Sequence, residues 1–429
     1  MQIIAILFIV LTVIKLSISN CYWSENCHYK FFSSKTPYQF VRGDIRDSIV
    51  KIKGCDVISV WSLVRHGKRN PGIDFAQNML DATTMKYAVK LNHENGKGSM
   101  CAQDVENLNN WEADPNMFKN VHHIAAEGYQ EMFGIGYRIR KAFKGLLTSL
   151  DDRYYKLRSA YGAWIENGVK GFVEGFGNTS MIIEKSNPIY DITAPYEACS
   201  IYVKKVKNNE ETYAEANKYQ NTSEYLAVKN RIQQRTGINY TLTNENITAL
   251  YDLCRYTSSG INNVFSPWCA IFNKEDLQAV EYVGDLRHFY RNSYGNPINK
   301  MFGRIPLADL LESFNMAKNG KGKKLTVYFS HATMMDMVYS ALGLFNDDIP
   351  LRSDFRNPER KWRSSKTACF AANLIATLNR CSNEESTDYN VAFYMNEEPL
   401  ISICNEGVCS WKEFEIKLKP FINTTMDFC

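Results

Sequence analysis

Two short apolar runs, one near each end of the chain, constrain the fold most strongly. The first, Asp56–Val64, leads within two residues to His66, and the second, Leu325–Ser330, ends directly before His331. Short runs rich in β-branched residues are typical of buried strands. Because open α/β sheets bind ligands beyond the ends of their strands, we expect both histidines at one edge of a sheet.

The chain between and after these runs predicts the remaining elements. Amphipathic helical spacing covers His123–Leu147 and Leu277–Tyr290, and a further helix is predicted at Thr333–Leu344. Two later apolar runs, Ala371–Leu378 and Tyr389–Met395, are typical of strands. Strands early and late with helices between them predict an α/β fold, with a mixed sheet flanked by helices.

The same distribution predicts the domain organisation. A core domain formed by residues 20–90 and 280–429 would enclose an inserted, mainly α-helical domain at residues 91–279. A length of 429 residues fits one core with a large insertion.

The N-terminus and the cysteines indicate a secreted protein. The apolar run Ile3–Ile14 is too short to span a bilayer comfortably and is typical of a signal peptide, which we place at residues 1–19; a membrane anchor is the alternative. A count of twelve cysteines is high for a cytosolic protein but ordinary for a secreted one. Five glycosylation sequons agree, at Asn178, Asn221, Asn239, Asn246 and Asn423. The expected location is extracellular.

Cysteine spacing leaves the pairing open. Cys21 and Cys27 are close enough in sequence to pair locally. Cys254 with Cys269, and Cys404 with Cys409, fit disulfide bonds better than a metal site in an oxidising compartment. His122 and His123 lack a nearby pattern of zinc ligands and are expected to be surface or capping residues.

Charge and hydropathy exclude some classes of binding partner. A net charge of +4 at pH 7 excludes a nucleic-acid binder driven by bulk electrostatics. No other stretch has the roughly 18 apolar residues of a membrane helix, so no stable membrane insertion is expected after signal removal. Four cations at residues 360–366 predict a solvated face, or else a patch that gathers polyanions.

The segment Arg65–Pro71, RHGKRNP, carries the strongest chemical signal. Arg65 and Arg69 present planar guanidinium groups that suit phosphoryl oxygens, and Lys68 adds a point charge. Gly67 has no Cβ and lets the backbone approach an anion. A neutral His66 can attack phosphorus and form a phosphohistidine. His331, placed beside it, could donate to a phosphoryl oxygen in the transition state.

RHGKRNP and the later Ser330-His331-Ala332 resemble the histidine acid phosphatases. Residues 251–298 and the pattern CNEGVCSWKEF near the C-terminus narrow the resemblance to the multiple inositol polyphosphate phosphatases. The resemblance implies a phytase-like enzyme with a histidine phosphatase/phosphoglycerate-mutase-like core. Its substrate would be a small anion, an inositol polyphosphate, and neither a metal nor a cofactor would take part. It also makes His66 the nucleophile, Arg65 and Arg69 the phosphate ligands, and His331 the assisting residue.

Two positions depart from the pattern that the resemblance implies. Thr333 stands where an acidic proton donor is expected, and losing a positioned acid costs about 10²–10⁴-fold in rate. Asp336, one helical turn later, is an alternative donor that would act through a water. Trp164 stands where a third phosphate-binding arginine is expected; Arg158, six residues earlier, is a further candidate phosphate ligand.

Two functional hypotheses follow. The first is a secreted histidine phosphatase that hydrolyses phosphate monoesters, above all inositol polyphosphates, with activity reduced by the two departures. The alternative is a catalytically weakened, secreted pseudo-phosphatase that binds inositol polyphosphates or other anions.

Overall fold

The computed structural model describes residues 21–22, 31–148, 151–187, 189–261, 264–382, 387–404 and 407–429. The leader predicted at residues 1–19 and the cysteine at position 27 lie outside these described residues. The strands share one sheet and are β1 (Cys55–Arg65), β2 (Tyr155–Ser159), β3 (Ile183–Glu184), β4 (Leu325–Ser330), β5 (Asn373–Ser382), β6 (Thr387–Met395), β7 (Glu398–Pro399) and β8 (Val408–Ser410).

The α-helices flank this sheet or pack against one another. They are α1 (Ile45–Ser48), α2 (Ile73–Ala82), α3 (Met85–Glu94), α4 (Ala102–Asn110), α5 (Pro115–Lys119), α6 (Ala126–Ala142), α7 (Ala163–Phe176), α8 (Ser200–Tyr202), α9 (Ala214–Tyr219), α10 (Ser223–Thr236), α11 (Asn244–Thr257), α12 (Lys274–Asn292), α13 (Ile298–Lys318), α14 (Ala332–Ala341), α15 (Ser364–Thr367) and α16 (Trp411–Leu418).

The strand order confirms the mixed α/β sheet. Neighbouring strands run β3-β2-β4-β1-β5-β6-β7, with β8 paired to β6. β1 is parallel to β4, β4 is parallel to β2, and β5 and β6 continue the sheet in antiparallel pairs. The two runs that lead to the histidines are therefore adjacent parallel strands. Strand β4 is buried along its whole length, which explains its mainly apolar sequence.

Two strands lie where the sequence predicted only helical insertion. Tyr155–Ser159 pairs with β4, and Ile183–Glu184 extends the same edge. Such short segments have too few residues to show a clear two-residue alternation. Their pairing also depends on β4, which lies far away in sequence. The sheet thus draws on residues inside the range 91–279. The proposed division into two domains stays a prediction.

Buried apolar side chains form two clusters. One surrounds the sheet and includes side chains from helices α6, α7, α13 and α14, such as Ile135, Phe172 and Leu310. The other lies among α2, α10, α11 and α12 and includes Ile232, Leu250 and Trp268. The first cluster supports the strands and their ends. The second supports helices α11 and α12, which lie opposite those strand ends.

Five disulfide bonds lie in the described chain, and three of them connect parts that are distant in sequence. The expected pairs Cys254–Cys269 and Cys404–Cys409 are present. Local pairing of Cys21 with Cys27 is wrong, because Cys21 bonds Cys101 instead. The remaining bonds are Cys55–Cys381, which joins β1 to β5, and Cys199–Cys429. Among the described helices, none combines the length and apolar character needed to cross a bilayer.

Candidate active site

The ends of β1 and β4 bring the two histidines together. Arg65 and Ser330 are register partners, and the backbone N–H of His66 donates to the Ser330 carbonyl at 3.1 Å. The rings of His66 and His331, which follow these residues, have centroids 6.1 Å apart. The structure therefore places both histidines at one sheet edge, as parallel strands that end level require.

His66 is held in its neutral form, with one ring nitrogen free of hydrogen. Its Nδ1 lies 2.8 Å from the Gly67 carbonyl oxygen, which can only accept, so Nδ1 carries the proton and Nε2 keeps its lone pair. Burial, followed by the charges of Arg65 and Arg69, lowers the pKa of His66 well below its usual value. The imidazole therefore stays unprotonated even in mildly acidic solution.

Arg65 is fixed in the protein interior beside this histidine. Its Nη1 donates to the carbonyl oxygens of Ser34 and Ala368, each at 2.5 Å, and its guanidinium stands 4.7 Å from the Phe370 ring centroid. Burial is the main cause that lowers the pKa of Arg65 to about 10, so the side chain keeps its charge near neutral pH. Arg69 is more exposed, and its buried Nε has no hydrogen-bond partner among the described residues.

Gly67 has a packing role as well as the expected one. A Cβ on Gly67 would collide with the Gly128 carbonyl at the start of α6, and a Cβ on Gly128 would collide with the backbone of Lys68. The loop after β1 and the first turn of α6 therefore touch through bare backbone.

Trp164 lies beside three histidines and forms a wall of the candidate site. In the first turn of α7, its ring lies 6.4 Å from His66, 6.1 Å from His331 and 5.3 Å from His122, centroid to centroid. The Arg69 guanidinium stands 5.7 Å from the same ring. An indole therefore walls the site at the position where the resemblance implies a third arginine.

His122 is part of this wall, in contrast to the surface or capping role expected from sequence. Its φ of 60° places it in the left-handed region, which is uncommon for a residue with a side chain. Burial and then Arg69 lower the pKa of His122, and its buried Nδ1 has no partner among the described residues. Strained backbone of this kind clusters at functional sites.

His331 begins helix α14 and is oriented by a tyrosine. Its Nδ1 lies 3.1 Å from the hydroxyl of Tyr196. Burial, followed by Arg69 and Arg65, lowers the pKa of His331 to about 3. His331 is therefore held neutral, and Tyr196 orients its ring.

Two predicted phosphate ligands lie apart from this cluster. The Lys68 ammonium bonds Glu127 and the Ser258 carbonyl, each at 2.5 Å. Arg158 bonds Asp191 at 2.8 Å and Glu184 at 3.3 Å. Both cations therefore already have protein partners, which local sequence spacing does not reveal.

Asp336 contacts a histidine that lines the neighbouring cleft. Its fully buried Oδ2 lies 2.6 Å from Nδ1 of His288 and 3.1 Å from the Asn292 amide, while its Oδ1 has no partner among the described residues. The other ring nitrogen of His288 lies 3.0 Å from the Ser34 hydroxyl. His288 is a residue that sequence reasoning missed.

A cleft of about 790 Å³ opens beside the site, and most of its charged side chains are cations. The charged lining comprises Lys35, Arg69, Arg255, Arg287, Arg291 and Glu210. Burial, then the neighbouring arginines, lowers the pKa of Lys35 well below its usual value. Charge of one sign in a concave, partly buried cleft attracts ligands of the opposite sign.

One face of α12 supplies much of this lining. Gly284, Arg287, His288, Arg291 and Asn292 follow helical spacing and all border the cleft. The buried Nε atoms of Arg287 and Arg291 have no hydrogen-bond partner in the described part of the chain. The polar side of this amphipathic helix therefore faces the cleft, and its i, i+4 pair of arginines was the available signal.

Known proteins resemble this chain over most of its length. It is 28% identical to multiple inositol polyphosphate phosphatase 1 of Drosophila melanogaster over 90% of this chain and 84% of the relative. It is 20% identical to the Homo sapiens protein of the same name over 92% of this chain and 87% of the relative.

Among solved structures, the phytase from D. castellii superposes with a TM-score of 0.72 at 21% identity, over 93% of this chain and 86% of that one. The Bifidobacterium longum multiple inositol polyphosphate phosphatase, in complex with inositol hexasulfate, gives 0.56 at 17%, over 86% and 92%. These two show the same fold.

A family model matches residues 176–396, just over half of the chain. This match includes β4, His331, His288 and most of the helices that line the cleft. The chain belongs to the histidine phosphatase superfamily, branch 2.

Proposed function

We propose that this protein is a secreted phosphatase that hydrolyses inositol polyphosphates through a phosphohistidine on His66. One observation carries the proposal: a neutral, buried His66 stands between two arginines and faces His331, beside a cleft lined by cations. The fly relative and the D. castellii phytase, by their names, act on this class of substrate.

The side chains divide the work of substrate binding. A phosphoryl group would be held by Arg69, and by whatever donors of Arg65 its two carbonyl contacts leave free. Further phosphates would meet the cations of α12 and Lys35 across the cleft. A polyphosphorylated ring therefore gains contacts that a simple monoester does not.

The chemistry then proceeds in two displacements. The Nε2 lone pair of His66 attacks phosphorus, the phosphorus–nitrogen bond forms, and the bond to the leaving oxygen breaks. His331 stabilises charge on the phosphoryl oxygens, with Tyr196 holding its ring. A water then attacks the phosphohistidine, releasing inorganic phosphate and restoring His66.

The test is phosphate release from inositol hexakisphosphate by the protein expressed through a secretory pathway. His66→Ala is expected to lower turnover by about 10⁴-fold or more, as for removal of a catalytic nucleophile. His93→Ala, a histidine at the end of α3, is the matched control. Rapid acid-free quenching and mass spectrometry should find the phosphoryl group on His66. Turnover that survives His66→Ala would overturn the mechanism.

A second candidate function rests on Trp164. Its indole fills the position expected for an arginine, and Thr333 lacks an acid, which suits a protein that binds inositol polyphosphates without turning them over. Such a protein would show a ligand-dependent rise in melting temperature without phosphate release. Turnover gained by Thr333→Glu, alone or with Trp164→Arg, in an otherwise silent protein would favour this function.

Secretion and glycosylation are part of the proposal. Asn221, Asn239 and Asn423 of the five sequons are exposed, as glycan attachment requires. N-terminal sequencing of protein from the medium should begin near residue 20, and glycosidase treatment should lower its mass. Retention inside the expressing cells would contradict this part.

A further inference from the structure

We propose that Asp336, His288 and Ser34 form a proton relay that protonates the leaving oxygen, in place of the acid that Thr333 lacks. The inference rests on the proposed phosphatase function. It concerns a step that Thr333 does not supply, because a threonine hydroxyl is far too weak an acid to act as a carboxylic acid does.

The three groups form a continuous chain of short contacts. Asp336 Oδ2 lies 2.6 Å from His288 Nδ1, and His288 Nε2 lies 3.0 Å from Ser34 Oγ. A carboxylate can only accept, so Nδ1 donates to it and Nε2 faces the serine. A carboxylate that orients an imidazole against a hydroxyl is the arrangement that moves protons in many hydrolases.

The relay reaches from the protein interior to the substrate cleft. Asp336 is fully buried, one turn beyond Thr333 on α14, whereas His288 and Ser34 both line the cleft together with Arg69. The carbonyl of Ser34 also accepts from Arg65, which precedes the nucleophile. Ser34 therefore joins the carboxylate–imidazole pair, through its hydroxyl, to the arginine before His66, through its carbonyl.

Other proton-bearing groups near the reaction centre are less suited to this step. The Nδ1 proton of His66 is bonded to Gly67. Burial raises the pKa of Tyr196 well above its usual value, which makes it a weak acid, and its hydroxyl is already bonded to His331. His122, whose ring packs against Trp164, is a rival for this step.

The step balances without a further reactant. As the bond from phosphorus to the leaving oxygen breaks, that oxygen takes the Ser34 hydroxyl proton, and Ser34 takes the Nε2 proton of a protonated His288. In the second displacement the attacking water gives up a proton, which returns through Ser34 to His288. The cycle starts from the His288 imidazolium, which the second displacement restores. Asp336 supplies the adjacent negative charge, and Arg287, Arg291 and Lys35 supply positive charge around the cleft.

The decisive measurement compares leaving groups, because only poor leaving groups need a proton. At about pH 5, His288→Gln is expected to lower kcat/KM for glycerol 2-phosphate and inositol hexakisphosphate by about 10²–10³-fold. For p-nitrophenyl phosphate, whose leaving group departs without protonation, the loss is expected to stay within about fivefold. A merely structural role would lower all three alike, and that result would overturn the relay.

Matched variants separate the relay from its neighbours. Asp336→Asn and Ser34→Ala should show the same selective loss, while His93→Gln should leave all substrates unchanged. His122→Gln tests the rival: a selective loss there, without one in His288→Gln, would overturn the proposal. Melting temperatures identify any variant that fails to fold.

Wild-type protein provides a test without substitution. Across a series of aryl and alkyl phosphates, a working relay predicts a shallow dependence of kcat/KM on leaving-group basicity, and a steep dependence would contradict it. Wild-type protein that is inactive on every substrate would instead refute the proposed function itself. The two failures are therefore distinguishable.

Discussion

The two walls of the cleft are made in different ways. The sheet-edge wall consists of side chains at or near strand ends: Arg65, His66, Arg69, Trp164 and His331. The helical wall consists of side chains opposite: Lys35, Arg255, Arg287, His288 and Arg291. The first wall keeps its histidines neutral by burial, and the second adds mainly permanent cations. The comparison suggests that strand ends position the reacting groups, while a helix face selects the anion.

Among the substitutions that test this contrast between the two walls, Arg69→Ala is expected to lower kcat/KM most. Arg69→Ala removes a guanidinium from beside the phosphoryl group and should lower kcat/KM by about 10²–10³-fold for every phosphate monoester. Arg69→Lys should recover part of this loss, because the charge returns without the planar fork. A loss below tenfold, or one confined to polyphosphates, would assign Arg69 to the helical wall instead.

Next is Tyr196, which orients His331. Tyr196→Phe keeps the ring that packs against Tyr202 and loses only the hydroxyl. Removing such an orienting partner should lower kcat by about 10- to 100-fold with KM nearly unchanged. Tyr219→Phe, which loses a hydroxyl bonded to Glu224, is the matched control. An effect on KM alone would show that Tyr196 shapes binding rather than chemistry.

Acidification should reveal the neutral histidines of the sheet-edge wall. The pKa of His331 is about 3 in the folded protein, below the value of about 6.5 for an unfolded chain. Its contribution to stability is therefore complete above about pH 6.5 and is lost as the pH falls toward 3. Each such group changes the free energy of unfolding by about 1.4 kcal/mol per pH unit.

The measurement compares wild type with His331→Gln in denaturant unfolding between about pH 4 and 6, where the variant should lose less stability. The difference between proteins is needed because buried Glu131 and Glu281 act in the opposite direction. Burial raises the pKa of each to about 7, so their contributions are lost as the pH rises. An equal pH dependence of the free energy of unfolding in both proteins would mean that His331 is protonated as readily in the folded state as in the unfolded state.

The smallest effect is expected on the helical wall. Arg287→Gln removes one cation and should raise KM for inositol hexakisphosphate about fivefold, the scale of one hydrogen bond, with kcat unchanged. KM for p-nitrophenyl phosphate should change little, because a single phosphate is held at the sheet edge. An equal rise in KM for both substrates would show that the helical wall does not bind the additional phosphates selectively.

Sequence reasoning was most effective where function depends on neighbouring residues. The strands before His66 and His331, the helices α6, α12 and α14, and the mixed sheet were all predicted, because their patterns are local. The predicted meeting of the two histidines required only that parallel strands end level.

Partners that are distant in sequence could not be predicted. Arg360 and Arg363 were expected in a solvated face or an anion-gathering patch, yet both bond buried carboxylates of α12, Asp285 and Glu281. Lys68 likewise lies inside the phosphate-binding motif and bonds Glu127. Charge spacing gives no signal of such pairs, because they form only when α12 and α6 pack into place.

The backbone contact between Gly67 and Gly128 has a consequence for how this protein can change. Each glycine leaves the space that the other segment's backbone fills, so a side chain at either position would displace the loop that carries His66. A substitution at one position cannot be accommodated by a substitution at the other, because neither has a side chain to shrink. Libraries that randomise the motif should therefore recover glycine at both positions, even under selection for a new substrate.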